Sequence, residues 1–191
     1  MAGYDEAMKV TQQQSETLLQ STGRTYADLA ALTSSFSPEE WIRRAPDGGW
    51  SAAEIFEHVV LANSSLMAAV RDRLVQAPEG EWRQLTAGKD SLIEQVLSSG
   101  GRAKAGPRTS TFSGVVQNDV RQILADSHWE LRQLLAAAVP FPLHAIVWPH
   151  GFLGPLSAFQ WLLYIPSHTA RHVGQMQRLQ SIYLSSEMND R

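Results

Sequence analysis

Residues 157–175 have the sequence SAFQWLLYIPSHTARHVGQ, which combines the start signal of a helix with two histidines inside that helix. Ser157 with Gln160 forms the S-x-x-Q pattern of a capping box, in which each side chain bonds the backbone amide of the other residue. This pattern predicts a final helix that begins there and extends to about Leu184. Pro166 lies inside the helix and is expected to kink it, because proline lacks the amide hydrogen of the helical bond.

Three further long helices are predicted upstream, from apolar residues spaced three and four apart. The first extends from about Met8 to about Thr33. The second opens at a capping box of Ser51 with Glu54 and extends to about Gln76, and the third covers residues 116–138. Four long helices predict an all-α fold, a four-helix bundle that forms a single domain over residues 1–191.

Shorter segments are predicted between these helices. Ser37 before Pro38, with Glu40 at the third helical position, predicts a short turn of helix. Another short helix is predicted over residues 91–97, and the glycine-rich residues 100–108 predict a loop. No alternation of apolar and polar residues between hairpin turns is found, so the prediction contains no sheet.

The composition excludes several classes of protein. Sixteen Lys and Arg against nineteen Asp and Glu give a formal net charge of −3, which lacks the dense basic face of a nonspecific duplex-binding protein. The chain contains no cysteine, and this excludes disulfides, iron–sulfur clusters and thiolate metal sites together. Its six histidines are therefore the only soft nitrogen ligands.

The sequence also predicts a compartment and the kind of partner. The N-terminal residues contain no apolar segment of the kind found in a signal peptide. Residues 133–170 include no charged side chain, but five prolines interrupt them, so they cannot form one membrane-spanning helix. We therefore expect a cytoplasmic protein with a small-molecule substrate and no nucleic-acid or membrane partner, and we expect it to pair into a homodimer.

Three histidines are candidate metal ligands. His168 and His172 are four residues apart, so both lie on one face of the last helix, where two imidazoles can bind one ion. This spacing alone occurs more often without a metal, but the surrounding face is apolar, and two unpartnered imidazoles there would cost a few kcal/mol. His58 or its neighbour Val59 lies on the inner face of the second helix. A site of three histidines would leave coordination positions open for water and substrate.

Two segments of the chain resemble landmarks of the DinB-like (DinB/YfiT) superfamily. Residues 50–58, WSAAEIFEH, match W-S-x-x-E-x-x-x-H, and residues 167–175, SHTARHVGQ, contain H-x-x-R-H-x-x-Q, with GPLS at residues 154–157 between them. The resemblance extends over essentially the whole chain. It implies a four-helix bundle with a long crossover between helices two and three. It also implies a divalent metal, zinc, nickel or iron, bound by His58, His168 and His172.

The resemblance further implies a class of activity. Members of the superfamily include S-transferases and isomerases that use bacillithiol, mycothiol or glutathione. A thiol-dependent S-transferase or a hydrolase, with the metal as Lewis acid, is therefore the leading hypothesis. Two alternatives remain open. One is a metal-binding or ligand-binding bundle without turnover, and the other is an interaction protein whose histidines belong to the core.

Other polar residues near the histidines have alternative interpretations. His150, in the loop before the last helix, is a candidate acid/base catalyst, against the alternative of a loop-packing residue. Glu54 is a candidate ligand or base, although its position in a capping box favours a structural role. Gln175 either bonds a ligating imidazole or is an ordinary buried residue. Glu57 is expected to face solvent, and His144 has no assigned role.

Overall fold

The structure is a computed structural model that describes residues 4–98 and 114–189. Within these residues the elements are α1 (Gln12–Thr33), α2 (Pro38–Ile42), α3 (Ala52–Arg73), α4 (Trp82–Thr86), α5 (Lys89–Ser98), α6 (Val120–Ala138), β1 (Val147–His150), β2 (Gly154–Ser157) and α7 (Ala158–Asn189). The chain is thus mainly helical, and the all-α prediction is confirmed. Among the described helices, none is long and apolar enough to cross a bilayer. The loop predicted at residues 100–108 lies outside the described residues.

Reciprocal capping boxes begin four of the helices. In each box the N-cap hydroxyl accepts from the amide at the third helical residue, whose side chain accepts from the N-cap amide. The pairs are Thr11 with Gln14, Ser37 with Glu40, Ser51 with Glu54, and Ser157 with Gln160. The last three were predicted. In the first box Thr11 is the N-cap, so α1 begins at Gln12 and not at the predicted Met8. Met8 is the last residue of a short 3₁₀ turn.

Other boundaries differ modestly from the prediction. α3 ends at Arg73 rather than near Gln76, and α6 begins at Val120, after a 3₁₀ turn at Gln117–Asp119. α7 continues through Pro166 and to Asn189, beyond the predicted end. A single proline removes one helical hydrogen bond, and the packing of α7 against α1, α3 and α5 supports the helix on both sides of it.

In the bundle, α1 and α3 each pack against both α6 and α7. The interior between these helices is filled by two clusters of buried apolar side chains. In order of helix, the first cluster contains Leu18, Met67, Val70, Leu131, Leu134, Leu162 and Ile165. In the same order, the second contains Tyr26, Leu29, Ile55, Phe56, Val59, Val120, Leu124, Met176 and Leu179. α3 and α6 both pass from the second cluster to the first, so they run in the same direction. The crossover expected between them involves residues outside the described ranges and stays a prediction.

A polar layer separates the two clusters. It consists of Thr22, Asn63, Ser127 and Thr169 together with the hydroxyl of Tyr26, whose ring belongs to the second cluster, so all four long helices contribute to it. The amide nitrogen of Asn63 donates to the Tyr26 hydroxyl at 3.0 Å and to Thr169 Oγ1 at 3.2 Å. The Tyr26 hydroxyl also bonds Ser127 at 2.9 Å. Since buried polar groups are costly unless they are bonded, this network fixes how α1, α3, α6 and α7 meet.

A β-hairpin of β1 and β2 immediately precedes α7. The prediction that the fold contains no sheet was therefore wrong. β1 pairs antiparallel with β2, with Pro149 opposite Pro155 and His150 opposite Gly154. Each strand has four residues and one proline, so the alternation by which strands are recognised in a sequence is missing. Gly154 has φ of 69°, a left-handed conformation that glycine adopts without strain.

Candidate metal centre

The side chains of His58, His168 and His172 meet in the interior of the bundle, beside the polar layer. His168 Nε2 lies 3.2 Å from His58 Nε2 and 3.1 Å from His172 Nε2. All three residues are buried, with 7 to 8% of their surface exposed. One potential ligand atom from each lies within 4.8 Å of the others. The histidines that the sequence singled out as ligands are therefore brought together.

Helix packing and aromatic neighbours position these rings. α3 packs along α7, and both His58 and its neighbour Val59 are buried. The Trp50 ring packs on His58 with centroids 4.9 Å apart. One turn before His168, the Tyr164 ring stacks on the His168 imidazole, with centroids 5.3 Å apart and planes inclined by 24°. The two aromatic rings leave the imidazoles little freedom to rotate.

Burial keeps two of these imidazoles, those of His168 and His172, neutral. For His168, burial together with the nearby His172 and His58 rings lowers the pKa to about 2. For His172, burial and the neighbouring His58 lower the pKa to about 4. Both rings are thus uncharged at neutral pH, and an uncharged imidazole offers a lone pair to a metal ion.

A hydrogen bond sets the tautomer of one candidate ligand. His172 Nδ1 lies 2.9 Å from Gln175 Oε1, and because that amide oxygen can only accept, the proton is on Nδ1. The Nε2 atom of His172 therefore presents a lone pair towards His168. Of the two interpretations of Gln175, the structure supports the bond to an imidazole.

This donor set fits a divalent transition metal. Nitrogen ligands at about 2.0–2.1 Å from one ion lie roughly 3.0–3.4 Å apart, depending on the coordination geometry. The separations of 3.1 and 3.2 Å agree with that spacing. The Nδ1 proton of His172 leaves a lone pair on Nε2 directed at His168 Nε2, and an ion held between the ring nitrogens would accept it.

Two glutamates, Glu54 and Glu57, are close to His58 in the sequence, and their surroundings differ. Glu54 completes the capping box of α3, as its position predicted, and it also bonds the Arg44 guanidinium. Burial raises the pKa of Glu54, but bonds from Arg44 and Ser51 outweigh this effect and lower it overall. Glu57, expected to face solvent, is only 5% exposed. That expectation was wrong because α2, α6 and α7 all pack against α3, so its first two turns are buried nearly all round.

His150 lies near the three histidines but is not one of the cluster. It ends β1, and its ring packs on Trp161 and Tyr164 at centroid distances of 5.0 and 5.3 Å. Tyr164 in turn stacks on His168, so one aromatic ring separates His150 from the metal centre. Its burial lowers the pKa of the imidazole. The catalytic role of His150 stays a prediction.

His144 lies at a cleft and not in the three-histidine cluster. Its ring stacks on Trp82 with centroids 6.1 Å apart, and its Nε2 lies 3.3 Å from Gln14 Oε1. Burial lowers the pKa of His144. With Asp90 and Gln160 it borders a cleft of about 530 Å³. Among the described residues, its ring contacts Trp82 and Phe159 and none of the three histidines.

Two residues at the centre were missed as functional candidates. Asn63 joins α3 to α7 through Thr169, which directly follows His168. The signal for Asn63 was available, because it is the polar residue in an apolar row with Ile55, Val59 and Met67 at helical spacing. Tyr164 lies on the apolar face around the histidines, and its stacking on His168 depends on side-chain packing that periodicity does not describe.

The fold and the site together define a helical bundle with a buried three-histidine centre between facing helices. A family model for the DinB superfamily matches residues 21–176, which is most of the chain. The chain belongs to the DinB superfamily, as the sequence resemblance indicated. No curated protein matches the sequence, and no solved structure matches it.

Proposed function

We propose that His58, His168 and His172 bind one divalent transition metal ion and that the protein is a metal-dependent enzyme. The observation that supports this proposal is the meeting of three buried Nε2 atoms, with two of the separations at 3.1 and 3.2 Å. Neutral imidazoles suit zinc, nickel and iron. When bound, such an ion supplies Lewis acidity to a substrate.

The residues around the centre have separate tasks in this proposal. The three histidines use only part of an ion's coordination sphere, which is the arrangement of catalytic rather than structural metal sites. Gln175 orients His172 through its bond to Nδ1. The Tyr164 ring stacks on the His168 imidazole and the Trp50 ring packs on His58 at an inclination of 53°, and both reduce the contact of these imidazoles with water.

The reaction that we propose is the transfer of a low-molecular-weight thiol to an electrophile. In that reaction the sulfur forms a bond to an electrophilic carbon while the leaving group departs with its bonding pair, and the thiol proton passes to solvent. The chain has no cysteine, so the sulfur must come from a cosubstrate. Membership of the DinB superfamily supports this choice of reaction.

Metal binding is tested by elemental analysis of protein purified without an affinity tag. We expect about one equivalent of metal for a three-nitrogen site. His168→Ala and His58→Ala should each retain less than about a tenth of that amount, since two nitrogens hold an ion weakly. His128→Ala is the matched control, because His128 lies on α6 and bonds the backbone oxygen of Leu19.

A second measurement separates loss of the site from loss of the fold. Circular dichroism reports whether each variant is folded, and Co²⁺ added to chelated protein reports the ligand set through its visible absorption. Wild-type protein that binds neither native metal nor Co²⁺ would refute the metal centre. Equal metal content in His168→Ala and wild type would refute this set of ligands.

Catalysis is tested separately from metal binding. Glutathione, bacillithiol and mycothiol are each offered with monobromobimane or chlorodinitrobenzene, and thiol consumption is compared between metal-loaded and chelated protein. We expect a rate that requires the metal and is lost in His168→Ala. If the electrophile is consumed without any thiol, the activity is that of a hydrolase and not of a transferase. A metal-loaded protein without turnover would instead be a binding module.

Three further expectations belong to the same proposal. They are a cytoplasmic location, a small-molecule substrate and pairing into a homodimer. The pairing is tested by light scattering during size-exclusion chromatography, and a monomeric mass at micromolar concentration would contradict it.

A further inference from the structure

Two ring-bearing side chains beside the metal centre have free hydrogen-bond donors. Tyr164 is half-buried, and its ring stacks on His168 with centroids 5.3 Å apart. Within the described part of the chain, its hydroxyl forms no hydrogen bond. A tyrosine hydroxyl in a partly buried position usually has a partner. The Tyr164 hydroxyl is therefore available to a group that enters beside His168, the residue one helical turn further along α7.

The second donor is on His150, and the hairpin determines which nitrogen carries the proton. His150 Nδ1 accepts from the backbone amides of Phe152 at 3.1 Å and Leu153 at 3.2 Å. A nitrogen that accepts from two amides holds no proton, so the neutral ring carries its hydrogen on Nε2. Burial lowers the pKa of His150 and favours this neutral ring. In the described residues, Nε2 has no acceptor.

These two donors belong to one aromatic surface. The rings of His150 and Tyr164 lie 5.3 Å apart, and the Trp161 ring packs on His150 at 5.0 Å. Trp148 stacks on Trp161 with planes inclined by 6°. The rings of His150, Trp161 and Tyr164 are inclined to one another by 43° to 48°, and they form an aromatic surface that carries the two donors and leads to His168. The positive charge of Arg171 acts on Tyr164 at this surface. The His150 N–H and the Tyr164 hydroxyl can both donate to one oxygen acceptor, whereas only the Tyr164 oxygen can accept from an ammonium group.

We propose that His150 and Tyr164 bind an sp² oxygen of the substrate, a carbonyl or carboxylate oxygen, through Nε2–H and the phenol hydroxyl. This inference rests on the proposed metal centre for its catalytic meaning, because the donors would place such an electrophile beside the three histidines. It changes the expected role of His150. With Nδ1 engaged by two amides, this side chain is a substrate-binding donor rather than a base.

The test uses metal-free protein, so that its outcome does not depend on the metal. Benzamide supplies a carbonyl oxygen and benzoate a carboxylate, each on a ring that suits the Trp161 surface, and benzylamine supplies an ammonium without an acceptor. Binding is measured by chemical-shift changes in an NMR titration. We expect benzamide, benzoate or both to bind, and benzylamine to bind at least tenfold more weakly. Stronger binding of one oxygen probe identifies which acceptor is preferred.

The variants separate the hydroxyl from the ring. Tyr164→Phe keeps the stack on His168 and should weaken probe binding about three- to tenfold, the effect of one lost neutral hydrogen bond. His150→Asp keeps an acceptor for the two turn amides but has no ring donor, and it should weaken benzamide binding to a similar extent. Tyr183→Phe is the control, since Tyr183 on the same helix donates to the Arg43 backbone oxygen.

Three results would overturn the inference. One is probe binding that is unchanged in Tyr164→Phe, and another is the absence of any shift at millimolar benzamide and benzoate. The third is a long-range ¹H–¹⁵N spectrum that places the His150 proton on Nδ1. Co²⁺ spectra of the same variants report the metal centre independently. A protein that fails to bind Co²⁺ but binds benzamide through Tyr164 would refute the metal proposal and leave this inference standing.

Discussion

Gln175 accepts a hydrogen bond of 2.9 Å from Nδ1 of His172, one helical turn earlier on α7. This bond orients an imidazole whose other nitrogen faces His168 at 3.1 Å. Removing such a partner typically weakens metal binding by about 10- to 100-fold. We therefore expect Gln175→Leu to lower Co²⁺ affinity by about that factor, as measured by titration of the chelated protein.

Two variants make the Gln175 result specific. Gln175→Glu retains an oxygen acceptor and should keep Co²⁺ affinity close to that of the wild type. Gln180→Leu removes an amide on the same helix, one that donates to Ser35 away from the histidines, and should have no effect. Equal Co²⁺ affinity in Gln175→Leu and wild type would show that the bond does not support the centre.

The metal-free protein should lose stability as the pH falls below neutrality. Folding lowers the pKa of His168 to about 2 and that of His172 to about 4, whereas unfolded histidine titrates near 6.5. Below about pH 6.5 the unfolded chain binds more protons than the folded chain. The free energy of unfolding therefore decreases as the pH decreases. The slope approaches about 1.4 kcal/mol per pH unit for each histidine.

Urea denaturation of chelated protein between about pH 7 and about pH 5 measures this slope. The double variant His168→Gln, His172→Gln lacks both groups and should show a much smaller dependence. A wild-type free energy of unfolding that is constant over the interval would contradict the prediction.

The polar layer should respond unequally to the loss of its members. Asn63→Leu removes a side chain whose two partners, Tyr26 and Thr169, keep other hydrogen bonds, to Ser127 and to the Ile165 backbone oxygen. We expect a change in unfolding free energy within about 1 kcal/mol.

Tyr26→Phe is the informative contrast. It removes the oxygen shared by Asn63 and Ser127 and leaves a buried Asn63 N–H without its acceptor. The expected cost is about 1–3 kcal/mol. Denaturation by urea compares the two variants, and a larger loss in Asn63→Leu than in Tyr26→Phe would disprove this account of the layer.

Lys89 connects the hairpin to the helical bundle by hydrogen bonds. Its Nζ donates to the backbone oxygens of Leu153 at 2.9 Å and Pro155 at 2.6 Å. Lys89→Met keeps the length of the side chain and removes both charge-assisted bonds, each typically worth about 1.5–3 kcal/mol. We expect amide exchange of residues 147–157 to accelerate at least about tenfold through local opening.

The control for this experiment is Lys9→Met. The Lys9 ammonium bonds Glu6 at the surface, where such pairs contribute little. Amide exchange of residues 147–157 in Lys9→Met should be as slow as in the wild type. Unchanged protection of residues 147–157 in Lys89→Met would mean that the strands hold the hairpin without the lysine.

Local signals made the helices and the candidate ligands predictable. The capping pairs at Ser37, Ser51 and Ser157 are contained in four residues each, so the starts of three helices followed from the sequence. The spacing of His168 and His172 fixes their common face by helix geometry alone. That His58 joins them was expected from its inner face and from the family resemblance, and its contact with His168 agrees.

Long-range packing determined what the sequence did not. Glu57 was misplaced because its burial depends on how many helices surround α3, which the periodicity of α3 alone does not contain. The hairpin was missed because two prolines conceal its alternation, and Lys89 stabilises it from a helix far away in the chain.

The sequence by itself determined the helical fold, the starts of three helices and the common face of His168 and His172, because these depend on contacts within a turn or two of helix. Only the tertiary structure decided the environment of those histidines. It placed Gln175 on His172 and Tyr164 on His168, locked His150 Nδ1 in the hairpin, and set a polar layer between two apolar clusters. Hydrogen-bond direction and burial depend on atoms from different helices, and those meet only after folding.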